Sequence, residues 1–240
     1  MKKNIVILGS TGSIGKNTIH ILAKDKKNIN IILLSANRNY KELIKQVNFF
    51  KVKNIIITNK INFLSAKKIL KNKKINIFNN FESMDKIFKN KKIDYTMNAI
   101  TGLDGLSPTL KMIKYSKKIA IANKEAIICG WHLIESCLRK YGTDFIPIDS
   151  EHFSIWSLIN KAKNKDIEKV YITASGGPFN KLPINKFKFI TTKAALKHPN
   201  WKMGKKISID SATMMNKVFE IIEAKKIFNL DYKKLSILVH

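Results

Sequence analysis

The 240-residue chain reads as an α/β protein: a Rossmann-like, doubly wound parallel sheet followed by a smaller α+β domain. Three observations predict this. Short apolar runs alternate with helical periodicity through the first two-thirds, as in a parallel sheet with helices on both faces. A glycine-spaced turn, "GSTGSIG", follows the first apolar run. After about residue 150 the alternation gives way to Gly/Pro loops and one strong helical pattern.

In order, the expected strands are "NIVIL" (4–8), "NIIL" leading to Ser35, "NIIIT" (54–58), "INIF" (75–78), "YTMNAI" (95–100), "KIAIAN" (118–123) and "DFIPI" (144–148). Segments such as "IGKNTIHILAK" and "LSPTLKMIKY" supply the crossover helices. Beyond them, "EKVYITAS" reads as a strand, "GGPFNKLPINKF" and "HPNWKMGKK" as loops, "SATMMNKVFEIIEAKKIF" as one helix, and "KLSILVH" as the opening of a strand. The expected division is residues 1–149 for the nucleotide-binding domain and 150–240 for the second.

The glycines at 9, 12 and 15 stand between a strand and a helix start. Glycine is needed where the backbone turns tightly against a pyrophosphate, and a helix N-terminus offers unpaired N–H groups to the anion. A plain tight turn is the alternative; the βαβ context favours a dinucleotide. An NAD site usually ends its second strand with an acid for the ribose hydroxyls. This chain has "SANRN" instead, and Arg38 can fork onto a 2′-phosphate, which predicts NADPH.

A second constellation starts at "PIDSEHFSIW". If the strand remains extended, Asp149 and Glu151 face the same side ~6.6 Å apart, at the carboxyl end of a parallel strand where ligands bind. Two carboxylates there suit a divalent cation or acid–base work; ion pairs to lysines are the alternative. In "DSATMMNKVFEIIEAKK", Asp210 or Ser211 can cap the helix, and Asn216, Lys217 and Glu220 share one face; i,i+3 pairing of Lys217 with Glu220 at the surface is the alternative to a ligand site there. An all-oxygen set of Asp149, Glu151 and Glu220 favours Mg²⁺ or Mn²⁺ over Zn²⁺. Ser175 in "ASGGPF" introduces a glycine turn whose N–H groups could hold phosphate. "HPNWKMG" combines His198, Trp201 and Met203 with Gly204, as a lid would.

The formal net charge of +28 raises nucleic acid as a partner. Only Arg38 and Arg139 of the 45 basic residues are arginine, whereas designed phosphate grips use its bidentate fork. Lys, Asn and Ile are inflated together, so compositional drift is the better account and no specific nucleic-acid partner is expected. Cys129 and Cys137 match no metal or redox spacing and read as reduced thiols. No apolar run reaches the ~20 residues of a membrane span, and no signal peptide precedes the first strand. A cytoplasmic protein is expected.

With these residues in view, the chain resembles the 1-deoxy-D-xylulose 5-phosphate reductoisomerase family. "LGSTGSIG", "ANKE" (122–125), "PIDSEH", "SGGPF", "HPNWKMGKKISIDSATMMNK" and "LVH" carry the resemblance along the whole length. It implies NADPH on Thr11, Gly12, Ser13 and Ile14, then Asn37, Arg38 and Asn39, completed by Asn123, Glu125 and Gly204. Asn37 and Arg38 stand where the family often has Gly and Lys. It implies a cation on Asp149, Glu151 and Glu220, with these and Lys124 as the catalytic set. Lys124, Ser150, Glu151, Ser175, His198, Ser211, Asn216 and Lys217 would hold a phosphorylated sugar, under a lid of Trp201 and Met203. The implied reaction is isomerisation by C–C cleavage and re-formation, then reduction by NADPH, giving 2-C-methyl-D-erythritol 4-phosphate for isoprenoid synthesis. Family members are longer and continue into a C-terminal helical domain, so the second, catalytic domain reads as truncated, with a homodimer expected of the full-length form. Two rival readings are an inactive remnant and a semialdehyde-type NADP dehydrogenase, whose nucleophile would be Cys129.

Overall fold

The computed structural model describes residues 2–89, 91–159, 162, 164–197 and 204–239. It contains two compact units, Met1–Ile148 and Asp149–His240. Among the described residues no helix is long and apolar enough to cross a membrane.

The first unit alternates β1 (Lys3–Leu8), α1 (Ser13–Lys24), β2 (Ile29–Ala36), α2 (Tyr40–Phe50), β3 (Asn54–Ile57), α3 (Lys60–Ile69), β4 (Asn76–Phe78), α4 (Met84–Phe88), β5 (Ile93–Asn98), α5 (Leu106–Ile113), β6 (Ser116–Ile121), α6 (Lys124–Tyr141) and β7 (Asp144–Pro147). All seven strands read from the sequence are there. They form one sheet in the order β4-β3-β2-β1-β5-β6-β7, every pair parallel. The chain winds outward from β1 to β4, then restarts on the other side of β1 with β5. That reversal makes the β1/β5 junction the switch point where such sheets bind ligands.

Central strands are buried on both faces, so they read as unbroken apolar runs rather than alternating ones. Val6, Ile7 and Leu8 of β1 and Ile55, Ile56 and Ile57 of β3 are fully enclosed. Each such side chain contributes about 1.5–3 kcal/mol by leaving water. Leu43 and Val47 of α2 and Ala66 of α3 close over the β1–β4 half of the sheet.

The helices begin where capping residues stand. The Asn39 side chain accepts from Glu42 N at 3.2 Å to start α2, and Asn123 accepts from Ala126 N at 2.7 Å to start α6. Each bond satisfies an N–H that the helix itself leaves open. α6 ends at Gly142 in the left-handed region (φ 60°), the usual glycine stop.

The second unit contains α7 (Ser150–Ile159), β8 (Val170–Ala174), α8 (Thr192–Ala195), α9 (Lys205–Ala212), α10 (Met215–Phe228) and β9 (Leu235–Val239). β8 and β9 pair in parallel from Val170↔Leu235 to Ala174↔Val239. Ile155, Ile167, Ile172, Ala224, Leu230 and Leu235 form its core.

Two expectations fail here. The extended geometry predicted through Asp149 and Glu151 does not occur: β7 stops at Pro147 and α7 starts at Ser150. Asp149 accepts the Glu151 amide on Oδ1 at 3.3 Å, and its carbonyl accepts from Phe153 N at 2.8 Å. An aspartate before an acidic first turn is a helix-start signal, and it prevails over continuation of the strand. The helix expected over 211–228 is likewise two helices. α9 ends at Ala212, and Met214 takes a left-handed conformation (φ 59°) before α10. Asp210 and Ser211 therefore lie in the last turn of α9 and cap nothing in α10. The Thr213 hydroxyl bonds back to the Ile209 and Asp210 carbonyls, both at 3.2 Å. Such back-bonding competes with the helix ladder and bends it.

Candidate nucleotide and cation sites

The glycine turn lies in the first unit and the converging acids lie in the second. In the first, the turn after β1 packs so closely that side chains are excluded. A Cβ on Gly15 would lie 2.3 Å from the Gly9 carbonyl oxygen and 2.6 Å from Ser10 Cα. Gly12 starts α1 with no side-chain cap. The first-turn amides are thus left to a ligand, and Thr11, Gly12, Ser13 and Ile14 are exposed or half-buried around them. This is the arrangement a pyrophosphate requires.

A buried lock behind the turn escaped the sequence reading. The Ser10 hydroxyl donates to Gln46 Oε1 at 2.7 Å, while Gln46 Nε2 donates to the Ser10 carbonyl at 3.0 Å. Gly9 N donates to the Ser35 hydroxyl at 2.9 Å, and Ser10 N to the Ser35 carbonyl at 2.9 Å. Ser10, Ser35 and Gln46 are all buried, so α2 and the end of β2 fix the shape of the turn. The one local mark of Gln46 is a polar residue on the buried face of α2, between Leu43 and Val47.

Asn37, Arg38 and Asn39 follow β2 and are exposed. Arg38 is available to an anion, whereas the Asn39 side chain is engaged as the α2 cap. Asn123 is buried. Besides capping α6, its Nδ2 donates to the Ile100 carbonyl at 2.7 Å and to that of Gly102. Its side chain is therefore spent on the fold, leaving main-chain atoms for any ligand. Lys124 and Glu125 occupy the first turn of α6, half-buried. Cys129 is exposed mid-helix, away from the helix N-terminus that would stabilise a thiolate. Gly204 belongs to the second unit, exposed at the start of α9. His198, Trp201 and Met203 lie outside the described residues.

In the second unit, α7 and α10 bring three acids together. One oxygen each from Asp149, Glu151 and Glu220 lies within 4.8 Å of the others. Lys217 sits among them, nearly enclosed. Its Nζ donates to Glu151 Oε1 at 2.8 Å and to the Thr173 carbonyl at 2.8 Å, and lies 2.6 Å from Glu220 Oε2. The remaining carboxylate oxygens are also engaged: Ser150 Oγ donates to Glu151 Oε2 at 2.6 Å, and Asn216 Nδ2 donates to Glu220 Oε1. Burial alone would raise the Glu151 carboxyl, but the Lys217 and Ser150 hydrogen bonds outweigh it and hold it below the usual range. Burial alone would lower Lys217, yet its bonds to Glu151 and Glu220 leave it raised. The pair is ionised at neutral pH.

The family resemblance implied Lys217 as a substrate ligand, with pairing to Glu220 as the alternative. Here its three donors go to two carboxylates and a carbonyl. Asn216 Oδ1, by contrast, is buried with no hydrogen-bond partner among the described residues. Ser175 follows β8, half-buried, and the loop after it passes close to Ser211: a Cβ on Gly177, at φ 69°, would lie 2.6 Å from the Ser211 carbonyl oxygen. His152 and Glu223 join the cluster without having been singled out. Both are buried, and Glu223 stands one turn after Glu220 on α10.

Residues 5–130 match the family model for 1-deoxy-D-xylulose 5-phosphate reductoisomerase. Residues 145–228 match the model for that enzyme's C-terminal domain. A 1-deoxy-D-xylulose 5-phosphate reductoisomerase of Pelagibacter ubique (strain HTCC1062) is 64% identical over 239 residues, covering 99% of this chain and 62% of the relative. The Zymomonas mobilis reductoisomerase solved in complex with NADPH superposes with a TM-score of 0.89 at 33% identity, over 100% of this chain and 62% of that one. A DOX-P reductoisomerase solved with NADPH, fosmidomycin and magnesium gives 0.89 at 33% identity, over 99% of this chain and 61% of that one. This chain therefore spans a little over three-fifths of the length of these relatives. The first of the two family models alone matches more than half of the residues: the chain belongs to the 1-deoxy-D-xylulose 5-phosphate reductoisomerase family.

Proposed function

We propose that this chain carries the NADPH- and cation-binding machinery of an enzyme that converts 1-deoxy-D-xylulose 5-phosphate to 2-C-methyl-D-erythritol 4-phosphate. The observation that carries the reading is the convergence of Asp149, Glu151 and Glu220, held by two helices far apart in sequence. The donor set fits Mg²⁺ or Mn²⁺: all its atoms are carboxylate oxygens. The Lys217 ammonium between Glu151 and Glu220 supports the reading, because a cation is already accommodated beside these carboxylates.

Asp149, Glu151 and Glu220 would hold the cation, with Asn216 Oδ1 as a further neutral oxygen. When bound, that cation supplies Lewis-acid polarisation of substrate oxygens, and NADPH supplies the hydride. The chain's residues orient the reactants. The uncapped first turn of α1 receives the pyrophosphate, and Arg38 the 2′-phosphate. Ser175 and Ser211, beside the glycine turn after β8, anchor the sugar phosphate. Lys217 turns to the substrate once another cation neutralises its carboxylates. Binding energy from the phosphate is then spent on orientation at the reacting carbons. A phosphorylated sugar as substrate, a cytoplasmic setting and a homodimer at the length of the relatives belong to the same reading.

The test is NADPH oxidation with 1-deoxy-D-xylulose 5-phosphate and Mn²⁺. It is run on this chain and on a chimera carrying the C-terminal residues of the Pelagibacter ubique relative. The chimera should turn over, and Glu220→Gln should remove turnover while leaving NADPH affinity unchanged. Near-normal turnover in Glu220→Gln overturns the cation assignment.

A further inference from the structure

The loop of residues 37–39 is bracketed by two ties to the glycine turn. On the β2 side, Ser10 N donates to the Ser35 carbonyl at 2.9 Å, and Gly9 N to the Ser35 hydroxyl at 2.9 Å. On the α2 side, Gln46 Nε2 donates to the Ser10 carbonyl at 3.0 Å. A carbonyl only accepts, so Nε2 is fixed on it, and Oε1 is left to take the Ser10 hydroxyl at 2.7 Å. Ser10, Ser35 and Gln46 are 0%, 1% and 4% exposed, so water does not compete for these bonds.

Each tie runs on to Arg38. From Ser35 the chain passes Ala36, whose carbonyl accepts from Thr58 N at 3.1 Å, and two residues later reaches Arg38. From Gln46, α2 runs back about two turns to its cap, Asn39, and Tyr40 N donates to the Arg38 carbonyl at 2.8 Å. Leu43 and Val47 bury the face of α2 on which Gln46 stands. The Arg38 loop thus joins two elements that are both pinned to Ser10. Its main chain cannot shift against the first turn of α1 without breaking a buried hydrogen bond, which costs more than an exposed one.

We propose that Gln46 is a positioning residue that sets cofactor specificity: through Ser10 it holds Arg38 at a fixed distance from the open N–H groups of α1, so that one dinucleotide engages by its pyrophosphate and its 2′-phosphate together. The proposal rests on the reading of these two places as the NADPH site. Two contacts held at the ligand's own spacing act as a bivalent site, where the second forms at high effective concentration. An Arg38 loop free to move would have to be ordered at binding, which lowers affinity. NADH lacks the 2′-phosphate and draws on the turn alone, so the clamp serves NADPH more than NADH.

Nucleotide fluorescence titrations give the Kd of NADPH and NADH for the full chain and for Gln46→Met, which keeps the side chain's length and removes both bonds to Ser10. NADPH affinity should fall about tenfold, the worth of roughly one net hydrogen bond, and NADH affinity by much less, so the preference narrows. In an Arg38→Ala background the same substitution should cost NADPH no more than it costs NADH, a coupling that a double-mutant cycle reads. Val47→Ala, a buried apolar neighbour on α2, is the structural control and should weaken the fold while keeping the preference. Equal losses for both nucleotides in Gln46→Met, or the same narrowing in Val47→Ala, overturn the proposal alone. A parent that does not distinguish the two nucleotides overturns the reading of Arg38 and this proposal with it. Should Gln46→Met not fold, Ser10→Ala, which removes only the hydroxyl bond, decides by the same comparison.

Discussion

Replacing Lys217 by methionine tests whether the ammonium holds the place of a cation. The Lys217 side chain is 9% exposed and its Nζ touches Glu151, Glu220 and the Thr173 carbonyl. Methionine keeps the length and the apolar stem but removes the ammonium from between Glu151 and Glu220. Removing one partner of a buried ion pair costs about 3–5 kcal/mol. The Glu151 side chain is still 24% exposed and can recruit water, which places the loss at the low end, about 3 kcal/mol. For a unit the size of 149–240, each kcal/mol moves Tm by roughly 4–8 °C. Melting of that unit should therefore fall by about 12 °C or more. Mn²⁺ should reverse much of this, since a ligand at 100 times its Kd adds about 2.7 kcal/mol. In the parent the cation must first displace the ammonium, so the Mn²⁺-induced shift should be larger in Lys217→Met. Calorimetry in chelator and in excess Mn²⁺ reads both quantities. A variant that melts with the parent in chelator, or gains no more from Mn²⁺ than the parent does, refutes the reasoning.

Gly15→Ala should abolish NADPH binding, read by quenching of nucleotide fluorescence, because its Cβ cannot fit 2.3 Å from the Gly9 carbonyl; retained affinity would show that the turn can open. Gln46→Leu strands the Ser10 carbonyl inside the protein and should cost about 1–3 kcal/mol in urea unfolding; a neutral result would show that water reaches it. Asp94 ties β5 to its neighbours through Lys117 Nζ at 2.8 Å and Asn4 N at 2.9 Å. The Lys117 bond first, then the Asn4 amide, hold its carboxyl below the usual range. A depressed carboxylate stabilises the fold above its unfolded pKa and loses that contribution as pH falls through the folded one. Asp94→Asn should therefore lower the urea midpoint at pH 7 yet lose less than the parent between pH 5 and pH 3; parallel pH profiles would count against the assignment.

The sheet was legible because burial on both faces leaves a mark in composition. β1 and β3 are apolar at every central position, since no face of either strand meets water. The glycine turn was legible for a related reason: a backbone that must approach itself within van der Waals contact accepts no other residue. The two misread segments lack any such mark. At Asp149 a capping residue and a strand ending spell the same letters, and only tertiary pairing of β7 decides where extension stops. At Met214 the left-handed conformation is imposed on a residue that does not favour it, while the helical period of α9 resumes in α10 without a break in pattern.

The cluster around α7 and α10 shows the remaining limit. Sequence spacing put Asn216, Lys217 and Glu220 on one helical face, and Asn216 and Lys217 both contact Glu220. Spacing also offered the Lys217–Glu220 pair; what it could not give was Glu151, on the other helix, as the second partner. Lys217 looked like an anion binder because a lysine beside an amide and a carboxylate suits phosphate. Its ammonium is instead held between one carboxylate from each helix, Glu151 and Glu220. His152 adds a second tie between the two helices, its Nε2 lying 2.9 Å from the Glu220 carbonyl oxygen. The chemistry of this unit is therefore set less by which acidic residues converge than by which cations, ammonium or metal, are allowed to remain among them.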